Sequence, residues 1–284
     1  MRLTWTLIVY LLTLSLPAVI SGMDENDVVS DARRDNDGFL VHTVKSPYQA
    51  GETDIRVLLP DRLEGSKQYP VVYVLPVEPG RGVRFGDGLL EVRKHDLHNK
   101  HEVLFVAPTF FDLPWFADHP TKPEIRQETY FRNVVLPFVE RTYPASDERL
   151  LLGFSKSGWG AWVLLLRHPQ TFRRAAAWDA PLMMDQIGKY GTGDILGTQE
   201  NFEGYRLAAL LRTNAETAGS GKRLILTGYG NFREHHQQAH TLLNDLKIPH
   251  EYRDGPFLEH DWHSGWVANA VELLIRQPSR TSER

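Results

Sequence analysis

An α/β domain built on an eight-stranded, mostly parallel sheet with helices on both faces is predicted by three observations. Short β-rich runs alternate with helical patterns from Phe39 onward. The helical patterns carry apolar residues at three- and four-residue spacing, the mark of a helix with one buried face. The run "LLLGFSKSGWGAW", 150–162, reads as a strand that turns sharply into a helix.

The strands are expected in the order "FLVHTVKS", "TDIRVLLP", "VVYVLP", "VLFVAP", "LLLGFS", "RAAAWDA", "RLILTGY" and "HEYRDG". The first two are joined through Pro47 to Gly51, a connection short enough for an antiparallel hairpin. Four helical stripes lie between or after the strands. Phe131, Val134, Val135, Phe138 and Val139 form one, with Pro137 as a kink, and Trp159, Trp162, Val163 and Leu166 form the next. Ala239, Leu242, Leu243 and Leu246 make the third, and Val267, Ala270, Val271 and Leu274 the fourth. The connection 181–222 is longer than a crossover needs and carries Gly188, Gly191, Gly193 and Gly197, with a helix expected from Tyr205 to Leu211. It reads as a lid over the C-terminal edge of the sheet. No repeat, low-complexity tract or second domain interrupts 39–284.

At the N-terminus, Arg2 precedes an apolar run, then Pro17 and the small residues Ser21 and Gly22. This is the pattern of a secretory signal over 1–22, and it implies an exported protein, periplasmic or extracellular. An uncleaved anchor is the alternative, because Leu3 to Ile20 approaches the length of a bilayer span. No other membrane contact is expected. The polar stretch 23–38, "MDENDVVSDARRDNDG", is read as a mobile leader.

Composition narrows the chemistry. The chain has 284 residues, and 32 Lys and Arg stand against 36 Asp and Glu for a net charge of -4, so a basic surface for nucleic acid is not expected. Cysteine is absent, which removes disulfides, thiolate zinc sites and thiol nucleophiles together. A nucleophile must therefore be an oxygen or a nitrogen.

A nucleophile on a strand-to-helix elbow needs small residues two before and two after it, because larger ones collide with the adjoining strand and helix. Gly153 and Ser157 flank Ser155 in this way, whereas Ser157 would be flanked by Ser155 and Trp159. Ser155 is the candidate, with the amide of Lys156 at the new helix's N-terminus facing a developing oxyanion. The plain alternative is a Gly-Ser loop that only connects strand to helix.

"GFSKSG", followed by "HDW" near the C-terminus, resembles the esterase D-like branch of the α/β-hydrolases, which includes feruloyl and acetyl-xylan esterases and mycolyltransferases. The similarity runs from about Phe39 to Arg276, although only the serine turn and the histidine segment are specific. It implies the α/β-hydrolase fold, serine-ester chemistry, no cofactor, and a small-molecule or carbohydrate-linked ester as substrate. It also places the base at His260, in "LEHDWHSGW", in preference to His263. Where the family carries its aspartate, after "RLILTGY", this chain reads "GYGNFREHH", with Asn231 in the expected position. Asp179, at the tip of "RAAAWDA", is the preferred acid, with Asn231 and Glu234 as the other candidates. A turn-capping role for Asp179 is the alternative.

Relatives build part of the oxyanion hole after a His-Gly pair, but this chain has "YVLPVEPGRG". Pro76 has no N–H, so the second donor is expected from Val77 or Glu78. A carboxylate at Glu78 would oppose an oxyanion unless its side chain turns away. These departures leave a non-catalytic carbohydrate- or partner-binding protein open on the same fold, and an acyltransferase is the outcome if the 181–222 connection excludes water and admits an alcohol. Trp115 and Phe116, in "FFDLPWFADHP", are candidates for substrate binding. The groups His95, His98, His101 and His235, His236, His240 lack the HExxH arrangement, so they are read as surface residues and no metal site is expected.

Overall fold

The structure, a computed structural model, describes residues 27–219 and 221–276. The expected signal segment 1–22 and the first residues of the polar leader lie outside the described residues. All eight expected strands are present, and the leader contributes two more. In chain order they are β1 (Val28–Val29), β2 (Arg33–Arg34), β3 (Leu40–Lys45), β4 (Thr53–Leu58), β5 (Tyr69–Val74), β6 (Leu104–Pro108), β7 (Ala145–Phe154), β8 (Arg174–Trp178), β9 (Leu224–Leu226) and β10 (His250–Tyr252). The helices are α1 (Gly88–Lys94), α2 (Leu97–His101), α3 (Gln127–Tyr130), α4 (Leu136–Thr142), α5 (Ser155–Arg167), α6 (Thr192–Leu196), α7 (Gln199–Glu203), α8 (Leu207–Thr213), α9 (Ala215–Ala218), α10 (Arg233–Asp245) and α11 (Val267–Ile275).

The sheet runs β1-β3-β4-β6-β5-β7-β8-β9-β10, with β2 also on β3. Pairing is parallel from β6 through β10 and antiparallel at the β1–β4 end. The expected β3–β4 hairpin is there, with Leu40 opposite Val57 and Val44 opposite Thr53. The leader departs from the expected mobility: Val28 pairs with Lys45 and Arg33 with Val41. Without those two short strands one edge of β3 would present unpaired N–H and C=O groups, and covering such an edge is favourable.

Alternate side chains of the parallel strands feed two cores, one on each face. Leu151, Trp159, Trp162, Val163, Phe131 and Leu243 belong to the first, beneath α4, α5 and α10. Leu150, Leu152, Phe154, Trp178, Val267 and Leu274 belong to the second, beneath α1 and α11. Pro137 sits in the first turn of α4, and the turn before it, Phe131–Val135, is a π-helix. A proline cannot donate to the α ladder, so the chain widens by one residue ahead of it and keeps its apolar stripe buried.

The 181–222 connection is packed rather than loose. Ile195, Leu196, Phe202, Leu207 and Leu211 are buried in the same core as α5. The Tyr205 hydroxyl donates to Glu128 Oε2 at 2.7 Å and accepts the N–H of Asp118 at 3.1 Å. The helix expected from Tyr205 to Leu211 is α8, shifted two residues toward the C-terminus.

Candidate active site

The site forms where β7 and β8 end side by side. Phe154 is registered opposite Trp178, so the next residues, Ser155 and Asp179, leave the sheet at the same level. Both have positive φ, 51° and 41°, and the Ser155 N–H donates to the Asp179 carbonyl at 3.2 Å. Left-handed backbone at a non-glycine residue persists only where the surroundings impose it. Here they do: a Cβ at Gly153 would lie 2.2 Å from the Ser157 carbonyl oxygen, so the elbow closes only over glycine.

The two serines of the elbow have different surroundings. Ser157 is fully buried, and its hydroxyl accepts the Phe154 N–H at 3.1 Å and donates to the Phe154 carbonyl at 2.9 Å. It staples the turn. The Ser155 hydroxyl has no hydrogen-bond partner among the described residues, and Ser155 is 9% exposed.

His260 lies between β10 and α11. Its Nδ1 is 2.5 Å from Asp179 Oδ2, while the Asp179 side chain is 0% exposed. The imidazole rests on aromatic rings: Phe154 with centroids 5.0 Å away, Phe85 at 5.5 Å, Phe232 at 5.7 Å and Trp178 at 6.4 Å. Trp262, two residues on, packs edge-to-face on Phe154 at 5.0 Å and so anchors the histidine segment to the strand that carries the elbow. His263 is directed elsewhere, its Nε2 accepting the Asp87 N–H at 3.1 Å.

Of the three acid candidates, the structure brings only Asp179 to His260. Burial alone would raise its pKa, but His260 and the backbone N–H groups of Asn231, Phe232 and Gly230 outweigh that and hold the carboxyl below its ordinary value. Asn231 N donates to Oδ2 at 2.8 Å and Phe232 N to Oδ1 at 2.6 Å. A Cβ at Gly230 would lie 2.7 Å from Oδ2, so glycine permits the approach. The loop after β9 thus supplies amides to the carboxylate of Asp179, the residue that follows β8. Glu234 is exposed and accepts from Gln238.

The expected oxyanion donors lie at adjoining strand ends. The backbone N–H groups of Lys156, Val77 and Glu78 donate to no protein group among the described residues. The Glu78 carboxylate is tied to its own loop, Oε2 accepting the Arg84 N–H at 2.5 Å. Burial lowers the Lys156 pKa, with Glu78 opposing and Arg84 adding to the effect.

Two expectations fail. Trp115 and Phe116 are 0% exposed and belong to the core, not to a binding surface. Trp115 meets Trp159 edge-to-face at 5.4 Å, and Phe116 fills the space left by Gly160, where a Cβ would sit 2.1 Å from its ring. Gln127 Oε1 accepts both of their backbone N–H groups, which turns this loop inward. His236 and His98, read as surface residues, are 2% and 5% exposed. Among the described residues no group of His, Asp or Glu side chains is arranged to hold a metal ion.

The sequence reading missed Phe85, Phe232 and Tyr190. Tyr190, 51% exposed, meets Phe232 edge-to-face at 5.6 Å and so extends the aromatic wall beside His260 outward from the 181–222 connection. Its φ of 55° and the bond from Trp115 Nε1 to its carbonyl at 3.3 Å fix its backbone. Nothing in the local sequence marks these rings, because the wall joins three distant segments.

Residues 110–223 match the family model described as "Putative esterase". No match was found among curated proteins. Solved structures of similar fold include a ferulic acid esterase, at 20% identity and TM-score 0.65 over 86% of this chain and 96% of that one. They also include the fluorophosphonate-binding serine hydrolase F of Staphylococcus aureus, at 15% identity and TM-score 0.66 over 87% and 100%. An S-formylglutathione hydrolase from Agrobacterium tumefaciens aligns at 14% identity and TM-score 0.69 over 87% and 98%. The segment matched by the esterase family model holds both Ser155 and Asp179. The likenesses to solved structures show the fold: the chain has the α/β-hydrolase fold.

Proposed function

We propose that this chain is an exported serine esterase that works through an acyl-enzyme on Ser155. The observation that carries the reading is the His260 Nδ1 contact with buried Asp179 at 2.5 Å, combined with the Ser155 N–H on the Asp179 carbonyl. The carboxylate holds the proton on Nδ1, which leaves the His260 Nε2 lone pair as the base. That nitrogen takes the Ser155 hydroxyl proton as the oxygen attacks the ester carbonyl. The oxyanion of the tetrahedral intermediate takes hydrogen bonds from the amide of Lys156 and from that of Val77 or Glu78. Collapse breaks the ester C–O bond, and His260 returns the proton to the leaving alcohol. Water then repeats the sequence on the acyl-enzyme and frees the acid.

The aromatic wall of Phe85, Phe232 and Tyr190 supports a substrate with an apolar or planar group beside the scissile bond. A carbohydrate-linked acyl ester meets that description. Export rests on the N-terminal pattern of 1–22. A panel of p-nitrophenyl and sugar-linked acyl esters, run with the purified chain and its Ser155→Ala form, tests the reading. Turnover that falls by about 10³-fold or more in Ser155→Ala supports it, and equal turnover in both forms overturns it.

A further inference from the structure

Two histidines of α10 lie under the acid. His236 Nε2 accepts the N–H of Ala180 at 2.8 Å, and His235 Nδ1 accepts that of Met183 at 3.0 Å. The Ala180 N–H and the Asp179 carbonyl belong to one peptide unit, and that carbonyl accepts the Ser155 N–H at 3.2 Å. The unit is therefore held at both ends, by the backbone of the expected nucleophile on one side and by His236 on the other. Rotation of this plane changes the Asp179 backbone and swings its carboxylate against His260. Because Asp179 sits at φ 41°, such a hold is what its conformation requires.

We infer that His236 is a positioning residue, which fixes the Asp179–Ala180 peptide so that the carboxylate stays on His260 and the elbow stays at Ser155. This rests on the triad reading above. An acceptor must be neutral, and burial pushes the His236 ring down to about 4, against the opposing pull of Asp179, so it stays neutral near pH 7. With Nε2 accepting, the ring proton lies on Nδ1, a buried atom without a partner among the described residues. A packing role alone would be served better by an apolar side chain, since an unsatisfied buried N–H is unfavourable. What histidine adds is the acceptor at Nε2.

The test compares His236→Gln, which keeps an acceptor, with His236→Met, of similar length and without one, using p-nitrophenyl acetate and the downfield proton resonance of His260 Nδ1. His236→Met is expected to lower kcat about 10- to 100-fold with KM within about twofold, and to shift or erase the resonance. His236→Gln is expected to recover most of both. Wild-type kcat and resonance in His236→Met, or equal losses in the two variants, overturn the inference. If neither variant folds, the imidazole nitrogen shifts of the unsubstituted protein decide, since a protonated His236 Nε2 cannot accept from Ala180. Failure of the triad reading looks different: Ser155→Ala then turns over as fast as the unsubstituted chain.

Discussion

Ser155 and Asp179 occupy the same level at the ends of two paired parallel strands, joined by a hydrogen bond from the Ser155 N–H to the Asp179 carbonyl at 3.2 Å. Asp179 follows β8 directly, and its carboxylate meets His260 Nδ1 at 2.5 Å. The loop after β9 supports that carboxylate through the Asn231 and Phe232 amides.

Asp179→Asn therefore lowers kcat by about 10⁴-fold, because an amide can leave His260 in the wrong tautomer and cannot balance its cation. Glu234→Gln changes kcat by less than about twofold, since Glu234 is exposed and bonded to Gln238. Steady-state kinetics on a soluble ester separates the two, and the reverse ranking would remove Asp179 from the site.

Gly153→Ala places a methyl group against the Ser157 carbonyl, which is backbone and cannot rotate away. The expected cost is about 1–3 kcal/mol or more, with the elbow opened and Ser155 displaced. Denaturant unfolding together with kcat reads both effects. A variant of full stability and activity would mean that the turn is not strained as described.

Stability should fall as the medium is acidified from pH 6.5 to about 4, because His236 is neutral in the folded protein down to about 4 and protonates at 6.5 when exposed. The unfolded chain binds the extra proton in that window, so this contribution is complete above 6.5 and is lost progressively toward 4. The size is on the order of 3 kcal/mol. Asp179 adds its own loss only below its ordinary value of 3.8, where the carboxyl of the unfolded chain takes up a proton that the folded one still refuses. Thermal melts across this range should be flatter for His236→Gln, and an unchanged slope would contradict the burial of a neutral ring.

Tyr190→Ala should raise KM for aromatic acyl esters about 2- to 10-fold relative to acetate esters, with kcat little changed, by shortening the wall beside Phe232. Equal effects on both esters would place Tyr190 outside the acyl site.

Period and turn chemistry made the fold legible, because alternate burial on two faces and the Gly153–Ser155–Ser157 spacing are local properties of the chain. Ser155 and Asp179 stood out for the same reason, each following directly on a strand, whereas His260 was read from the resemblance of "HDW" to the esterase D-like pattern. Trp115 and Phe116 were misread, since proximity to a strand's C-terminal end does not say which way a loop folds; Gln127, a dozen residues away, turns it inward. His236 carried a signal that went unused. It lies three residues before Ala239 and seven before Leu243, on the buried face of the same helix. The aromatic wall had no such signal.

The most direct measurement of the central claim is the mass of the intact protein after exposure to a fluorophosphonate, with the adduct located by peptide mapping. The account predicts one equivalent, on Ser155, formed rapidly in the unsubstituted chain and abolished in His260→Ala. An unmodified protein, an adduct on Ser157, or labelling indifferent to His260 would contradict it.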